Sequence, residues 1–341
     1  MVVDRQEEPD QVEQPSADVQ ATQEEVRSAF WYAVERGGTR LDRHWLGLIA
    51  TGAAAGLDVA IGVFGLLVVM QVTSNLVLAS LTFSIGFIIV VFANSELFTE
   101  NFLIPLSSVI TGRGRVSSLA RLWGATLVTN LAAGWVIAAI LVSGFPNIKQ
   151  QAITLSRFYF SQGFGWRSFS AAVFAGALVT LMTWMNSITT MQSTRLFSAL
   201  VVGYVLALGQ MPHCIVSGIE FFVALIGGAP FGYGIALATI GWMVLGNFAG
   251  GVLLAAGIRL AQVGGIELRR REREAESEGE RSDGHEESTS PRGETSEGDL
   301  DQSEPASQRI FQGITDSAPP PRRASDQGGD TRIQPEGSGG H

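Results

Sequence analysis

The stretch Gly209–Glu220, GQMPHCIVSGIE, holds an imidazole (His213), a thiol (Cys214), a hydroxyl (Ser217) and a carboxyl group (Glu220) within one of the most apolar parts of the chain. An imidazole titrates close to neutral pH, so His213 could exchange a proton with a weak acid. A hydrogen-bonded structural histidine is the plainer reading. Its setting favours function. Ionisable residues at membrane depth are costly and mark functional sites, and Pro212 just before it interrupts a helix. The other histidines sit elsewhere: His44 at an interface, His285 and His341 in a polar tail.

A second polar cluster is Ala93–Asn101, ANSELFTEN. Asn94, Ser95 and Thr99 offer amide and hydroxyl groups, and Thr99 could hydrogen-bond His213 or a passing anion. Glu96 and Glu100 could instead cap or neutralise backbone N–H groups freed by a helix break. Asp58 and Glu220 could each pair with a backbone group or with Arg195. One cysteine and one buried histidine do not make a metal-ligand set. With no phosphate-binding loop and no nucleophile–base pair, no catalytic residue, metal or cofactor is expected, and the chain does not read as an enzyme.

These clusters must be held by membrane-spanning helices. Of 341 residues, 46% are hydrophobic, but unevenly. An acidic tail (1–28), an amphipathic interfacial helix (29–44) and an acidic C-terminal tail (262–341) flank a six-span domain at 45–261. The interfacial helix carries Phe30, Trp31 and Val34 on one side, with Val26 just before it, and is expected to lie on the membrane surface. Both tails are too polar to pack and read as disordered. The apolar runs fall near 45–70, 76–106, 119–143, 168–187, 196–226 and 233–261, long enough to cross the hydrocarbon core. They are too long and too evenly apolar for barrel strands, so the fold class is an all-α membrane protein. A net charge of −9 with a single lysine, Lys149, excludes a nucleic-acid footprint.

Arginines cluster before the first run (Arg27, Arg36, Arg40, Arg43), between the second and third (Arg113, Arg115, Arg121), between the fourth and fifth (Arg195) and after the sixth. Only Lys149, Arg157 and Arg167 lie on the other side. The positive-inside rule then puts both termini in the cytoplasm of a multi-pass protein of the cell membrane.

Span three contains NLAAG from Asn130, and span six contains NFAGG from Asn247. The offset that carries Asn130 to Asn247 also carries Glu96, in the span-two interruption, to His213, in the span-five interruption. Three spans per half would give the halves opposite topology. Paired broken helices in such a 3+3 inverted repeat point to a transport site near the midplane. The breaks leave backbone groups that lipid cannot satisfy, so both must face protein or a water-filled cavity.

Glu96-Leu97-Phe98-Thr99, His213-Cys214-Ile215 and Gly246-Asn247-x-x-Gly250-Gly251 together resemble the formate/nitrite transporter family over about residues 28–262. The resemblance implies an aquaporin-like fold, a homopentamer with one pore per subunit, and passage of small monovalent anions such as formate or nitrite, or their conjugate acids. By position, Thr99 matches the loop threonine and His213 the central histidine. Leu97 and Phe98 match a cytoplasmic constriction. Phe83, Phe87, Val179 and Leu206 fall at a periplasmic one, with Phe83 and Phe87 one helical turn apart. Asn94, Glu96, Ser217, Asn130 and Asn247 are expected as supporting polar groups. Four positions depart from the pattern: Pro212 replaces a glutamate, Ser217 an asparagine, Gly176 a span-four asparagine and Phe160 a vestibule lysine. The expected function is a passive or proton-coupled channel, its partners being anions, protons and the lipid bilayer. The alternatives are a neutral small-solute channel and a non-transporting scaffold that acts through its acidic tail.

Overall fold

The computed structural model describes residues 17–267 and Arg270. Expectations for the remainder, including most of both acidic tails with His285 and His341, lie outside the described residues. Among the described residues every regular element is helical. The order is α1 (Ala17–Leu41), α2 (Trp45–Thr73), α3 (Leu76–Ala93), a 3-10 turn (Phe98–Phe102), α4 (Ile104–Ile110), α5 (Val116–Gly144), α6 (Lys149–Ser161), α7 (Trp166–Ser187), α8 (Gln192–Leu208), α9 (Cys214–Ile226) and α10 (Tyr233–Phe248). A π-helical stretch, Ala249–Ala256, continues α10, and the helix runs on to Glu267.

Five of these helices are long and apolar enough to cross a membrane: α2, α3, α5, α7 and the extended α10. The run expected to form the fifth crossing is divided into two shorter apolar helices, α8 and α9, on either side of a break. Local chemistry sets the joints. Between α2 and α3, Ser74 takes a left-handed conformation (φ 52°), and the Asn75 side chain accepts the Leu78 N–H at 3.1 Å to start the next helix. This is the side-chain capping that asparagine does best.

Small residues set how closely the helices approach. A Cβ on Gly56 would run into the Asn130 carbonyl, and one on Gly176 into the backbone of Asn247. The α2–α5 and α7–α10 contacts therefore need glycine where they are tightest. That accounts for the departure at Gly176, because an asparagine side chain has no room there.

Two boundaries differ from the sequence reading. Helix α1 begins at Ala17 instead of residue 29, and α10 continues past residue 262 to Glu267. The apolar side of α1 is turned onto protein. Phe30, Trp31 and Val34 are buried with Leu103, Trp184, Leu260 and Val263. An amphipathic pattern records only that one face must leave water, and the other surface here is α4, α7 and the end of α10. Polar contacts fix the same docking. Ser108 Oγ donates to the Val34 carbonyl at 2.6 Å, and Arg40 Nη1 donates to Asn101 Oδ1 at 2.8 Å.

Candidate functional site

The first break follows α3. Asn94 takes a left-handed conformation (φ 53°) and returns its N–H to the Val90 carbonyl, a common helix stop. The chain then runs extended to Leu97 and restarts at Phe98. The second break follows α8. Gln210 has φ 43°, Pro212 has no N–H to offer, and His213 is extended before α9 begins.

Each break is clamped by one buried asparagine. Asn130 Oδ1 accepts the Phe98 N–H at 2.8 Å, while its Nδ2 donates to the carbonyls of Glu96 (3.1 Å) and Gly52 (2.7 Å). Asn247 Oδ1 accepts the Cys214 N–H at 2.9 Å, while its Nδ2 donates to the carbonyls of Pro212 (2.9 Å) and Ala172 (2.8 Å). A primary amide carries one acceptor and two donors, so each satisfies one N–H and one C=O across its break and a third group on a neighbouring helix. By this role Pro212 corresponds to Glu96 and His213 to Leu97. The sequence offset, which set Glu96 against His213, is one residue out at the breaks.

Thr99 and His213 meet. Thr99 Oγ1 lies 2.8 Å from His213 Nε2, and both residues are fully buried. The other ring nitrogen, Nδ1, accepts the Val216 N–H at 3.3 Å. An acceptor at Nδ1 leaves the proton of a neutral ring on Nε2, so the imidazole donates to Thr99 Oγ1. Phe87 stands edge-on to the imidazole with ring centroids 6.2 Å apart, and Phe83 follows Phe87 at 5.4 Å. Leu97, Phe98, Val179 and Leu206 are all buried in the same apolar cluster as these rings. The imidazole–hydroxyl pair is thus held in a greasy setting.

Glu96 and Asp58 have side-chain partners instead of the backbone groups expected for them. Glu96, 1% exposed, lies 2.9 Å from Arg43 Nη1 and accepts from Thr51 Oγ1 at 3.1 Å. Asp58 accepts from Ser95 Oγ at 2.5 Å instead of meeting Arg195, whose guanidinium donates to the Val91 carbonyl at 3.0 Å. Arg36, Arg40 and Arg195 line a polar cleft beside the first break, with Asn94, Ser95 and Glu100. In that cleft Asn94 is exposed and caps α3. Desolvation of Arg40 pulls its guanidinium below the usual arginine range, with the Glu96 carboxylate opposing the shift.

Ser217 is fully buried on the first turn of α9. Phe160 packs against Phe221 and Phe231, with centroids 4.8 and 4.7 Å apart. The Arg43–Glu96 pair and the reach of the two asparagines across the breaks escaped the sequence reading. The only signal for the asparagines was their recurrence beside small residues.

The formate/nitrite transporter family model matches residues 27–261. The inner membrane protein YfdC of Escherichia coli (strain K12) is 27% identical over 261 residues, which cover 72% of this chain and 82% of that protein. Among solved structures, an FNT family ion channel superposes with a TM-score of 0.57 at 20% identity, covering 68% of this chain and 96% of that one. A pentameric formate channel with formate bound superposes at 0.51 and 19% identity, covering 61% and 93%. At those identities the structural likeness speaks for the fold.

Proposed function

The chain belongs to the formate/nitrite transporter family, and from that premise we propose that it is a membrane channel for small monovalent weak-acid anions, formate or nitrite in type. The observation that carries the reading is the buried 2.8 Å contact between Thr99 in one break and His213 in the other. On this reading α8 and α9 form one broken crossing, and α3 with the turn after it forms another. The six crossings make a 3+3 inverted repeat, and the clamps at Asn130 and Asn247 support it because they do the same work in each half. The polypeptide assembles as a homopentamer with one passage per subunit, both termini lying on the arginine-rich cytoplasmic side.

A bare anion in an apolar slit is penalised by several kcal/mol. Two features lower that barrier. The cleft, whose three arginines outnumber its one glutamate, draws the anion towards the first break by raising its local concentration. Thr99, receiving the His213 Nε2–H, keeps its own hydroxyl hydrogen for the anion. His213 then acts chiefly as the donor that orients and polarises Thr99. Leu97 and Phe98 on one side, and Phe83, Phe87, Val179 and Leu206 on the other, keep bulk water out. The anion crosses as its conjugate acid, which carries one proton with it.

Proteoliposomes given an inward formate or nitrite gradient test this. Wild-type protein is expected to change the internal pH, and His213→Ala to do so far more slowly. Equal traces would remove His213 from the mechanism. Swelling with neutral solutes and no pH change would mark a neutral-solute channel instead.

A further inference from the structure

Both nitrogens of the His213 ring are engaged, Nδ1 by the Val216 N–H and Nε2 at Thr99, so neither has a lone pair free to take up a proton. A passage that moves an anion with a proton therefore needs a second group. One face of α9 supplies candidates. Ser217 and Glu220 follow His213 at i+4 and i+7, the spacing of a single helical face. Ser217 is fully buried and Glu220 is 2% exposed. Glu220 Oε2 has no hydrogen-bond partner among the described residues, and Ser217 Oγ has at most the phenol of Tyr159. The phenol of Tyr159, from α6, approaches Ser217 and lies within range of the Glu220 carboxyl group. Its ring stacks edge-on to Phe221, at 5.9 Å between centroids.

We propose that Glu220, with Ser217 and Tyr159, is a second, proton-binding station of the passage, one face of α9 beyond His213. The proposal rests on the proton-coupled reading above. Among the described residues no cation forms an ion pair with this buried carboxyl group. Helices α2, α5, α6 and α10 pack on α9. The titratable side chains they bear are Asp58 on α2, which is bonded to Ser95, and Arg121 on α5, bonded to the Leu41 carbonyl. Helix α6 carries Lys149, Arg157 and Tyr159, and α10 opens with Tyr233. Of these, Tyr159 is the one that feels the Glu220 carboxyl group electrostatically. Lys149 packs against Gly227, and Arg157 is exposed. An unpaired buried charge is costly, whereas a neutral acid there is tolerated. Glu220 therefore exchanges one proton per cycle. Its carboxylate takes H⁺ from the aqueous phase and becomes the acid. That proton moves to Ser217 Oγ while the Ser217 hydroxyl proton passes to an oxygen of the anion at Thr99. The neutral acid is released, and Glu220 is a carboxylate again.

Two measurements on the full-length protein decide it. The first is an infrared difference spectrum between acidic and alkaline buffer, with no substrate. A carbonyl stretch of a protonated carboxyl group that rises on acidification, disappears in Glu220→Gln and moves in frequency in Ser217→Ala is the expected result. An unaltered band, or none, overturns the proposal. This holds even if the wild type conducts neither formate nor nitrite, an outcome that would fell the channel reading alone. The second is transport in proteoliposomes. In Glu220→Gln, formate-driven proton uptake is expected to fall by about tenfold or more relative to exchange of labelled formate, within the range of acid–base contributions. A common fall in both rates, or none in either, overturns the station. Folding is checked by whether Glu220→Asp, which keeps the carboxyl group, restores the band and part of the uptake.

Discussion

Asn247 and Pro212 are joined by a 2.9 Å hydrogen bond across the second break, and the same amide holds the Cys214 N–H on its far side. One side chain thus fastens both ends of an interrupted helix, and Asn130 does so at the first break. The imidazole–hydroxyl pair sits between two joints of this kind.

Removing a clamp leaves two buried backbone groups of the break, one N–H and one C=O, without partners, while the third carbonyl, on α2 or α7, keeps its helical N–H. Each such group costs about 1–3 kcal/mol. Asn247→Ala and Asn130→Ala are each expected to lower the thermal unfolding midpoint of the detergent-solubilised protein by several degrees or to prevent its accumulation. A midpoint equal to the wild type would mean the breaks are held otherwise.

Thr99→Val keeps the volume and deletes the hydroxyl. The His213 Nε2–H loses its acceptor, and the anion loses its donor. Formate or nitrite flux in proteoliposomes is expected to fall by about tenfold or more, the factor carried by ~1.4 kcal/mol. The fold should survive, because the clamps are untouched. Flux within twofold of the wild type would contradict the role given to Thr99.

Arg43 and Glu96 should respond unequally to mutation. Arg43→Ala leaves a carboxylate that is 1% exposed with only the more distant Arg40, 3.9 Å away, as counter-charge, whereas Glu96→Gln leaves the guanidinium, itself 31% exposed, with access to water. Breaking a fully buried pair costs about 3–5 kcal/mol, and the exposure of Arg43 reduces that figure here. The thermal midpoint is expected to drop more for Arg43→Ala than for Glu96→Gln. The reverse order would point to the carboxyl group's bond with Thr51 as the main anchor.

Phe160→Lys puts a cation where the resemblance expects one. Local positive charge raises anion arrival, and salt screens the effect. Anion flux is expected to rise at low ionic strength and to converge on the wild type at high. A uniform loss at every salt concentration would show that the packing with Phe221 and Phe231 matters more.

The sequence made the spans legible because long apolar runs allow one reading in a bilayer. It also exposed both breaks, since Asn94, Pro212 and their polar neighbours stand out in such runs. Setting the breaks against each other left Thr99 two partners, His213 or a passing anion, and the structure has the first. What stayed hidden depends on contacts distant along the chain. Asn130 reaches Phe98, Glu96 and Gly52, and nothing local to it says so. The inward face of α1 was also ambiguous, because Phe30, Trp31 and Val34 would suit a lipid surface as well as a protein one. The fit of Gly176 to Asn247 could only come from three dimensions.

The asparagine clamps also bear on how such a passage can move. A glycine-rich bend with loose ends would flex, but a joint braced fore and aft by one amide behaves as a weld. Loosening it would bare polar backbone at a depth where no solvent waits to replace the lost bonds. Whatever gating occurs here must therefore be carried by pivoting rings and aliphatic tips, while the frame that holds them stays still.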